Sequence, residues 1–344
     1  MQILILGGTS FVGRAIAVEA VARGHVVMLL NRGTKPAPAG TTSVIGDRLA
    51  PDGGLSGLGE RTFDAVVDTW SAEPSIVTRA VEGLAGRVGR YIYISSLSVY
   101  SPKNEDQREK LNNESTPLFD ISSSDATKLE FEYPYNKRAA EVAVEKGFPA
   151  EKVLIVRPGV ILGPHEAAII ERGRLTWWLT RLRRGGRTLA PGPSEMGIQF
   201  VDARDLAAFV VQGIECETSG AFNLIGEAGV VTMGSFLEAG REVTGERAEL
   251  IWKTPGEIRE AGISGWTELP VWIDPESEGY NSVYWWDCVK ARAAGLRCRG
   301  LGETVKDTWE WMENGELKPV PAPDGYEGRL LGLSPEKEKK ALGD

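Results

Sequence analysis

Apolar residues arrive in short, evenly spaced runs through the first half of the chain. Between them lie stretches whose apolar positions recur every three or four residues. The runs Gln2–Leu6, Val26–Leu30, Ala65–Asp68, Arg90–Ser95 and Lys152–Arg157 read as strands, and Val12–Arg23, Pro74–Ala85 and Tyr135–Lys146 as helices. Such alternation predicts an α/β fold, a doubly wound parallel sheet with helices on both faces. The polar, irregular stretch Ser101–Glu132 predicts a long loop over the carboxyl edge of that sheet, where long loops are often functional.

After Gly163 the rhythm changes. Ala167–Arg184, Asp205–Ile214, Met233–Val243 and Gly302–Asn314 read as helices, with short strands at Gln199–Val201 and Phe222–Leu224. Leu250–Cys298 is rich in tryptophan, proline and glycine and predicts a loop-heavy lobe. A short charged helix at Ser334–Leu342 lies within a tail that opens on Lys-Pro-Val-Pro-Ala-Pro.

Composition narrows the function classes. Hydrophobic and charged fractions of 42% and 25% are those of a soluble globular protein. A net charge of -9 argues against a nucleic-acid or acidic-membrane partner. Cys216, Cys288 and Cys298 are too scattered for a disulfide framework, and His25 and His165 are too few for a zinc site, so no metal is expected. With no leader-like or membrane-spanning run, a cytoplasmic protein is the expectation.

The chain opens with a strand that runs into Gly7-Gly8-Thr9-Ser10-Phe11-Val12-Gly13 and then a helix. Glycines permit a tight turn and close approach to a pyrophosphate, while the helix N-terminus offers amide donors. In this context the turn predicts a Rossmann-like dinucleotide site. Residues 1–165 are then the dinucleotide-binding domain, with 199–225 returning to it. Residues 166–198 and 226–318 form a smaller C-terminal substrate-binding lobe, and 319–344 a tail.

Tyr133-Pro-Tyr-Asn-Lys137 has a tyrosine and a lysine four apart, which share one helix face. An ammonium beside a phenol favours the phenolate, so the pair can exchange a proton with a hydroxyl or carbonyl oxygen. Tyr91-Ile-Tyr-Ile-Ser95-Ser96-Leu97-Ser98-Val99-Tyr100 puts serine hydroxyls at the carboxyl end of a strand, the edge where open α/β sheets bind ligands. Capping of a strand-end turn is the better account of any one of these serines taken singly.

The glycine turn, Ser-Ser-x-x-Val-Tyr, Tyr-x-x-x-Lys and Arg157-Pro158-Gly159-x-x-x-Gly163-Pro164 occur in this order. In this the chain resembles the extended short-chain dehydrogenases/reductases, the group of sugar-nucleotide epimerases and dehydratases, from Met1 to about Trp311. The resemblance implies Ser96, Tyr133 and Lys137 as the catalytic set, with Tyr133 as acid/base and Lys137 also on the nicotinamide ribose. It places Gly7, Thr9, Ser10, Phe11, Val12, Gly13 and Asn31 around the dinucleotide, Asp47 at the adenine, and Ser95, Pro158 and Gly159 near the nicotinamide. Asp68, Thr69 and Trp70 are further cofactor neighbours. A homodimer through a helix bundle that includes Tyr135–Lys146 is also implied.

Two departures bear on this expectation. Ser10 replaces the middle glycine of the family's turn, and Leu30-Asn31-Arg32-Gly33 lacks the acidic residue that NAD-preferring members carry. Arg32 suits a 2′-phosphate, so NADP is favoured over NAD; stacking of Arg32 on adenine is the alternative. Substrate candidates are Ser98, His165 and Arg174, the last within a cluster of Arg172, Arg181, Arg183, Arg184 and Arg187 around Trp177-Trp178. Trp252, Trp266, Trp272, Trp285 and Trp286 are offered for ring stacking or for packing.

The resulting expectation is an NAD(P)-dependent oxidoreductase or epimerase moving a hydride at a secondary alcohol or ketone carbon. Its substrate would be sugar-nucleotide-like or another small polar molecule. An NADPH-dependent ketone reductase of secondary metabolism is one alternative. A non-catalytic RNA-binding or regulatory protein is the other, because a plastid RNA-binding branch shares the Gly-Gly-Thr-x-Phe-x-Gly opening and the Asn-Arg-Gly.

Overall fold

The computed structural model describes residues 1–101, 111–121, 132–166, 173–315 and 331–343. Contacts divide the chain into two compact units, one of Met1–Gly159, Ala203–Ile225 and Asp287–Arg297, the other of Val160–Asp202, Gly226–Trp286 and Cys298–Asp344.

The first unit is a seven-stranded, all-parallel sheet. Its elements include Gln2–Leu6 (β1), Phe11–Ala22 (α1), Val26–Asn31 (β2), Thr41–Ile45 (β3), Phe63–Asp68 (β4), Pro74–Leu84 (α2), Val88–Ile94 (β5), Glu132–Gly147 (α3) and Val153–Pro158 (β6). The strand order is Gly220–Leu224, β6, β5, β4, β1, β2, β3. Ile3, Leu4, Ile5, Ala65, Val66 and Val67 are all fully buried, as expected of strands covered on both faces. On one face α2 buries Ile76, Val77, Ala80, Val81 and Leu84, a helical spacing that meets Ala140 and Val144 of α3. On the other, α1 packs against the helix Ala203–Glu215. The chain reverses direction across the sheet between β1 and β4, so the crevice for a ligand opens at their carboxyl ends.

Two features of this unit departed from the sequence reading. β3 is an edge strand of Thr-Thr-Ser-Val-Ile with little burial, so no apolar pattern announces it. The segment Asp287–Arg297, expected in the lobe, belongs here because its helix Val289–Ala293 packs on Gly220–Leu224 and Lys290 Nζ donates to Ala221 O at 2.6 Å.

The second unit begins at Val160. There Ile161–Leu162 pairs with Val201–Asp202, and Gly186–Pro191 runs parallel to Ala248–Lys253. Its core is built on buried Trp178 and Trp272, whose indole N–H groups donate to Pro270 O and Gly192 O. The helix Pro335–Leu342 docks on this core through Leu342 and Glu338, which accepts from Arg181 Nε and Leu189 N. No helix among the described residues is long and apolar enough to cross a membrane.

Candidate active site

The turn after β1 is shaped for close backbone approach. Gly7 and Gly8 sit at φ +117° and +91°, which side chains rarely adopt, and a Cβ on Gly13 would lie 2.8 Å from Gly8 N. Ser10 is the N-cap of α1, yet its hydroxyl makes no cap bond; it accepts from Lys35 Nζ at 2.8 Å. The residues of the turn therefore lead into a helix start that has neither a side-chain cap nor an acidic residue in its first turn. They open onto a cavity of about 400 Å³ lined by Gly7, Thr9, Ser10, Asn31, Arg32, Asp47, Thr69 and Trp70, with Lys35 among its neighbours. This cradle fits a dinucleotide diphosphate. Phe11, Val12 and Gly13 begin α1 behind it. Gly13→Ala is expected to displace the turn at a cost of about 1–3 kcal/mol. Dinucleotide Kd would rise roughly ten- to a hundredfold by calorimetry; unchanged affinity would mean that the turn does not hold the ligand.

Asp68 does not line the cavity. It is fully buried, and its carboxylate accepts from Arg48 through both oxygens, from Trp70 N and from Tyr91 O–H. Arg48 and Lys35 were both missed in the sequence, since a single cation in a loop carries no pattern.

Lys137 projects from α3 to the carboxyl ends of β4 and β5. Its Nζ donates to Trp70 O at 2.8 Å and to Ile94 O at 2.6 Å, and it sits 4.8 Å from the centre of the Tyr93 ring. Only 2% of it is exposed, and burial pushes its ammonium down to about 7, against the opposing pull of Asp68 and Glu141. One of its three N–H donors is left without an acceptor among the described residues. Tyr133, one turn earlier on α3, is 47% exposed. The intervening Pro134 falls in the first turn of the helix, where its missing N–H is tolerated.

The serines follow Ile94 directly. Ser96 Oγ accepts from Ser98 N at 3.1 Å and caps the short turn Leu97–Val99, so it meets the capping reading while keeping its own O–H to donate. The hydroxyls of Ser95 and Ser98 are buried and unpaired among the described residues. Pro158 and Gly159 end the neighbouring strand, and a Cβ on Gly159 would press on Ile225 and Leu97.

Beneath these groups a buried network ties α3 to the sheet. Arg157 donates through Nε and NH2 to the two oxygens of Glu141, each at 2.8 Å, and through NH1 to Tyr100 O–H, which donates to Asn223. Burial pushes the Tyr100 phenol up to about 12 although Arg157 pulls it down.

The remaining substrate candidates belong to the second unit. Arg174 donates to Glu166 and lies over the Trp266 ring, while Glu166 also accepts the backbone N–H groups of Arg174 and Leu175. Arg181 is bound to Glu338, Arg183 to Glu313, and Arg187 to Leu342 O. These arginines hold the unit's own helices rather than forming an open phosphate grip; Arg172 lies outside the described residues. His165 packs on Trp311 with ring centres 4.8 Å apart. Trp272 and Trp286 are core residues, Trp266 carries Arg174, the Trp285 ring nitrogen is buried, and Trp252 is partly exposed.

Comparison with known proteins agrees with this geometry. The chain is similar to the chloroplast stem-loop binding protein of 41 kDa b of Arabidopsis thaliana, 29% identical over 245 residues, which is 66% of this chain and 59% of that protein. It is also similar to the 2-alkyl-3-oxoalkanoate reductase of Stenotrophomonas maltophilia, 26% identical over 228 residues, 61% of this chain and 64% of that one. The chain thus spans under two thirds of the length of these relatives. In fold it is similar to a UDP-glucose 4-epimerase of Thermotoga maritima solved with UDP-glucose, with TM-score 0.66, 17% identity, and coverage of 92% of this chain and 100% of that one. Residues 3–224 match the NAD dependent epimerase/dehydratase family across the sheet, the glycine turn and the Tyr-x-x-x-Lys helix, and the chain belongs to that family.

Proposed function

We propose that this chain moves a hydride at a secondary alcohol or ketone carbon of a sugar-nucleotide-like or other small polar substrate, using NAD(P). The observation that carries this reading is Lys137, a buried cation anchored at the sheet's carboxyl edge one helical turn from Tyr133 and beside the glycine-turn cavity. When bound, the nicotinamide ring supplies or accepts the hydride. Tyr133 Oη gives a proton to the substrate oxygen, or takes one from it. Ser96 donates its O–H to that oxygen, and the remaining Lys137 N–H supports the phenol or a ribose hydroxyl. Pro158 and Gly159 would border the ring, and the homodimer expected through α3 is part of the same reading.

In the same cavity β2 ends on Asn31 in place of a carboxylate, Arg32 follows it, and Lys35 reaches Ser10. Two cations, and no acid at the end of β2, support a 2′-phosphate, hence NADP. Replacing both with alanine is expected to weaken NADPH binding about tenfold while changing NADH affinity little, on the scale of one charge-assisted hydrogen bond. Equal loss for both dinucleotides would remove the NADP assignment.

Denaturing the purified protein and identifying any released nucleotide tests the whole reading. Retained NAD supports an epimerase, and an emptied site that takes up NADPH supports a reductase. No nucleotide released and none bound would defeat both. The relative named for stem-loop binding favours one second reading, an RNA-binding protein. The acidic balance of -9 weighs against it, and a salt-dependent gel shift would establish it.

A further inference from the structure

The backbone of Trp70 joins Asp68 to Lys137 through the two peptide groups on either side of its Cα. Its N–H donates to Asp68 Oδ1 at 2.9 Å. Its carbonyl oxygen accepts from Lys137 Nζ at 2.8 Å and from Tyr93 O–H at 3.0 Å. Asp68 in turn is gripped by Arg48 at 3.2 and 3.0 Å and by Tyr91 O–H at 2.7 Å, while Arg48 NH2 also reaches Ile76 O. Both members of this ion pair are buried, Asp68 completely and Arg48 to 7% exposure.

A buried ion pair is a poor way to gain stability, since the desolvation of both charges offsets most of the attraction. Its position here suggests another use. The charged and titratable groups around Lys137 are Asp68 from the end of β4, Tyr93 from β5, and Glu141 and Tyr133 from its own helix. Arg48 lies behind Asp68, and Arg157 of β6 lies behind Glu141. Arg48 neutralises part of the Asp68 field, and the side chain of Trp70 stands in the wall of the nucleotide cavity.

We propose that Asp68, clamped by Arg48, is a positioning residue for Lys137: it holds the backbone N–H of Trp70, the residue whose carbonyl anchors the ammonium, and it sets the negative charge that the ammonium meets. This rests on the proposed role of Lys137 in proton handling. The carboxylate favours the charged lysine and the guanidinium opposes it, so removing one or the other must move the lysine in opposite directions.

The test is a pH titration of Lys137 by the 13Cε chemical shift in lysine-labelled full-length protein, with the resonance assigned by its loss in Lys137→Met. Asp68→Asn is expected to lower the midpoint by about 1 in pH, and Arg48→Gln to raise it by a similar amount. Tyr91→Phe keeps both charges and should leave it in place. The pH profile of kcat/KM should follow the same displacements. Equal midpoints in the folded variants, or displacements of one sign, would overturn the proposal. If only one variant folds, the sign of its displacement decides. If neither folds, the pair is structural and the proposal falls. Opposite displacements in a chain that binds no dinucleotide would uphold this coupling and defeat the proposed function instead.

Discussion

Tyr133→Phe is expected to lower kcat for hydride transfer about 10²- to 10⁴-fold, the usual contribution of a positioned acid or base. Phenylalanine keeps the ring and the helix and removes only the Oη that would exchange the proton. Dinucleotide affinity should therefore stay within a few-fold, because the cradle of Gly7, Gly8 and Gly13 and the cations Arg32 and Lys35 are untouched. The split between kcat and binding is the informative part: loss of both together would indicate a displaced helix. Tyr135→Phe is the matched control. Two residues apart on a helix point to nearly opposite faces, so this change should cost less than threefold. A Tyr133→Phe enzyme with nearly full activity would assign the proton to another group, and Ser96 would be the next to test.

The parts of this arrangement written as local patterns were readable before any coordinates. β1, the glycine turn and α1 follow from an apolar run, residues that tolerate positive φ, and a helical period, all within about twenty residues. Lys137 could be paired with Tyr133 because a spacing of four on a helix fixes a shared face. The opposite holds for contacts that join distant segments. Arg48 meets Asp68 twenty residues on, and Arg157 meets Glu141 and Tyr100 across three elements. Nothing in the neighbourhood of any one of these residues marks its partner. Asp68 was placed among the cofactor neighbours by its position at a strand's carboxyl end, and the strand does end there. However, Arg48 and Tyr91 draw its side chain inward.

The second unit shows the same division. Its longer helices Arg174–Arg184, Met233–Val243 and Leu301–Glu313 were visible from their period, whereas the short helices Pro255–Glu260 and Glu278–Tyr284 lie in the stretch read as loop, and the parallel pair Gly186–Pro191 with Ala248–Lys253 joins strands far apart in sequence, each too mixed in polarity to be recognised. The arginines around Trp177-Trp178 could be read from sequence as a substrate contact or as a solvated helix face, for want of their partners. Three of those partners, Glu313, Glu338 and Leu342, come from the far end of the chain.

Glu141→Ala is expected to be the most damaging single change to stability, costing about 3–5 kcal/mol, the range for breaking a buried ion pair by removing one partner. Glu141 is fully buried and accepts two hydrogen bonds from Arg157 and one from Arg138. Without it the Arg157 guanidinium, 3% exposed, keeps the Tyr100 hydroxyl as its one remaining hydrogen-bond partner among the described residues. A drop in the urea midpoint at unchanged slope would measure the cost. Glu141→Gln should fall between wild type and alanine, because the amide still accepts from the guanidinium although the charge is gone. The decisive comparison is Glu141→Leu with Arg157→Met together. If the cost comes from an orphaned charge, the double variant should recover part of the stability lost by either single change, giving a coupling energy of about 1 kcal/mol or more. Strict additivity would mean that the two residues act independently and that α3 is held to the sheet by its apolar face alone. Because α3 carries both Tyr133 and Lys137, the double variant should regain stability sooner than turnover: an apolar pair can fill the space, but only the hydrogen-bonded one fixes the helix in rotation.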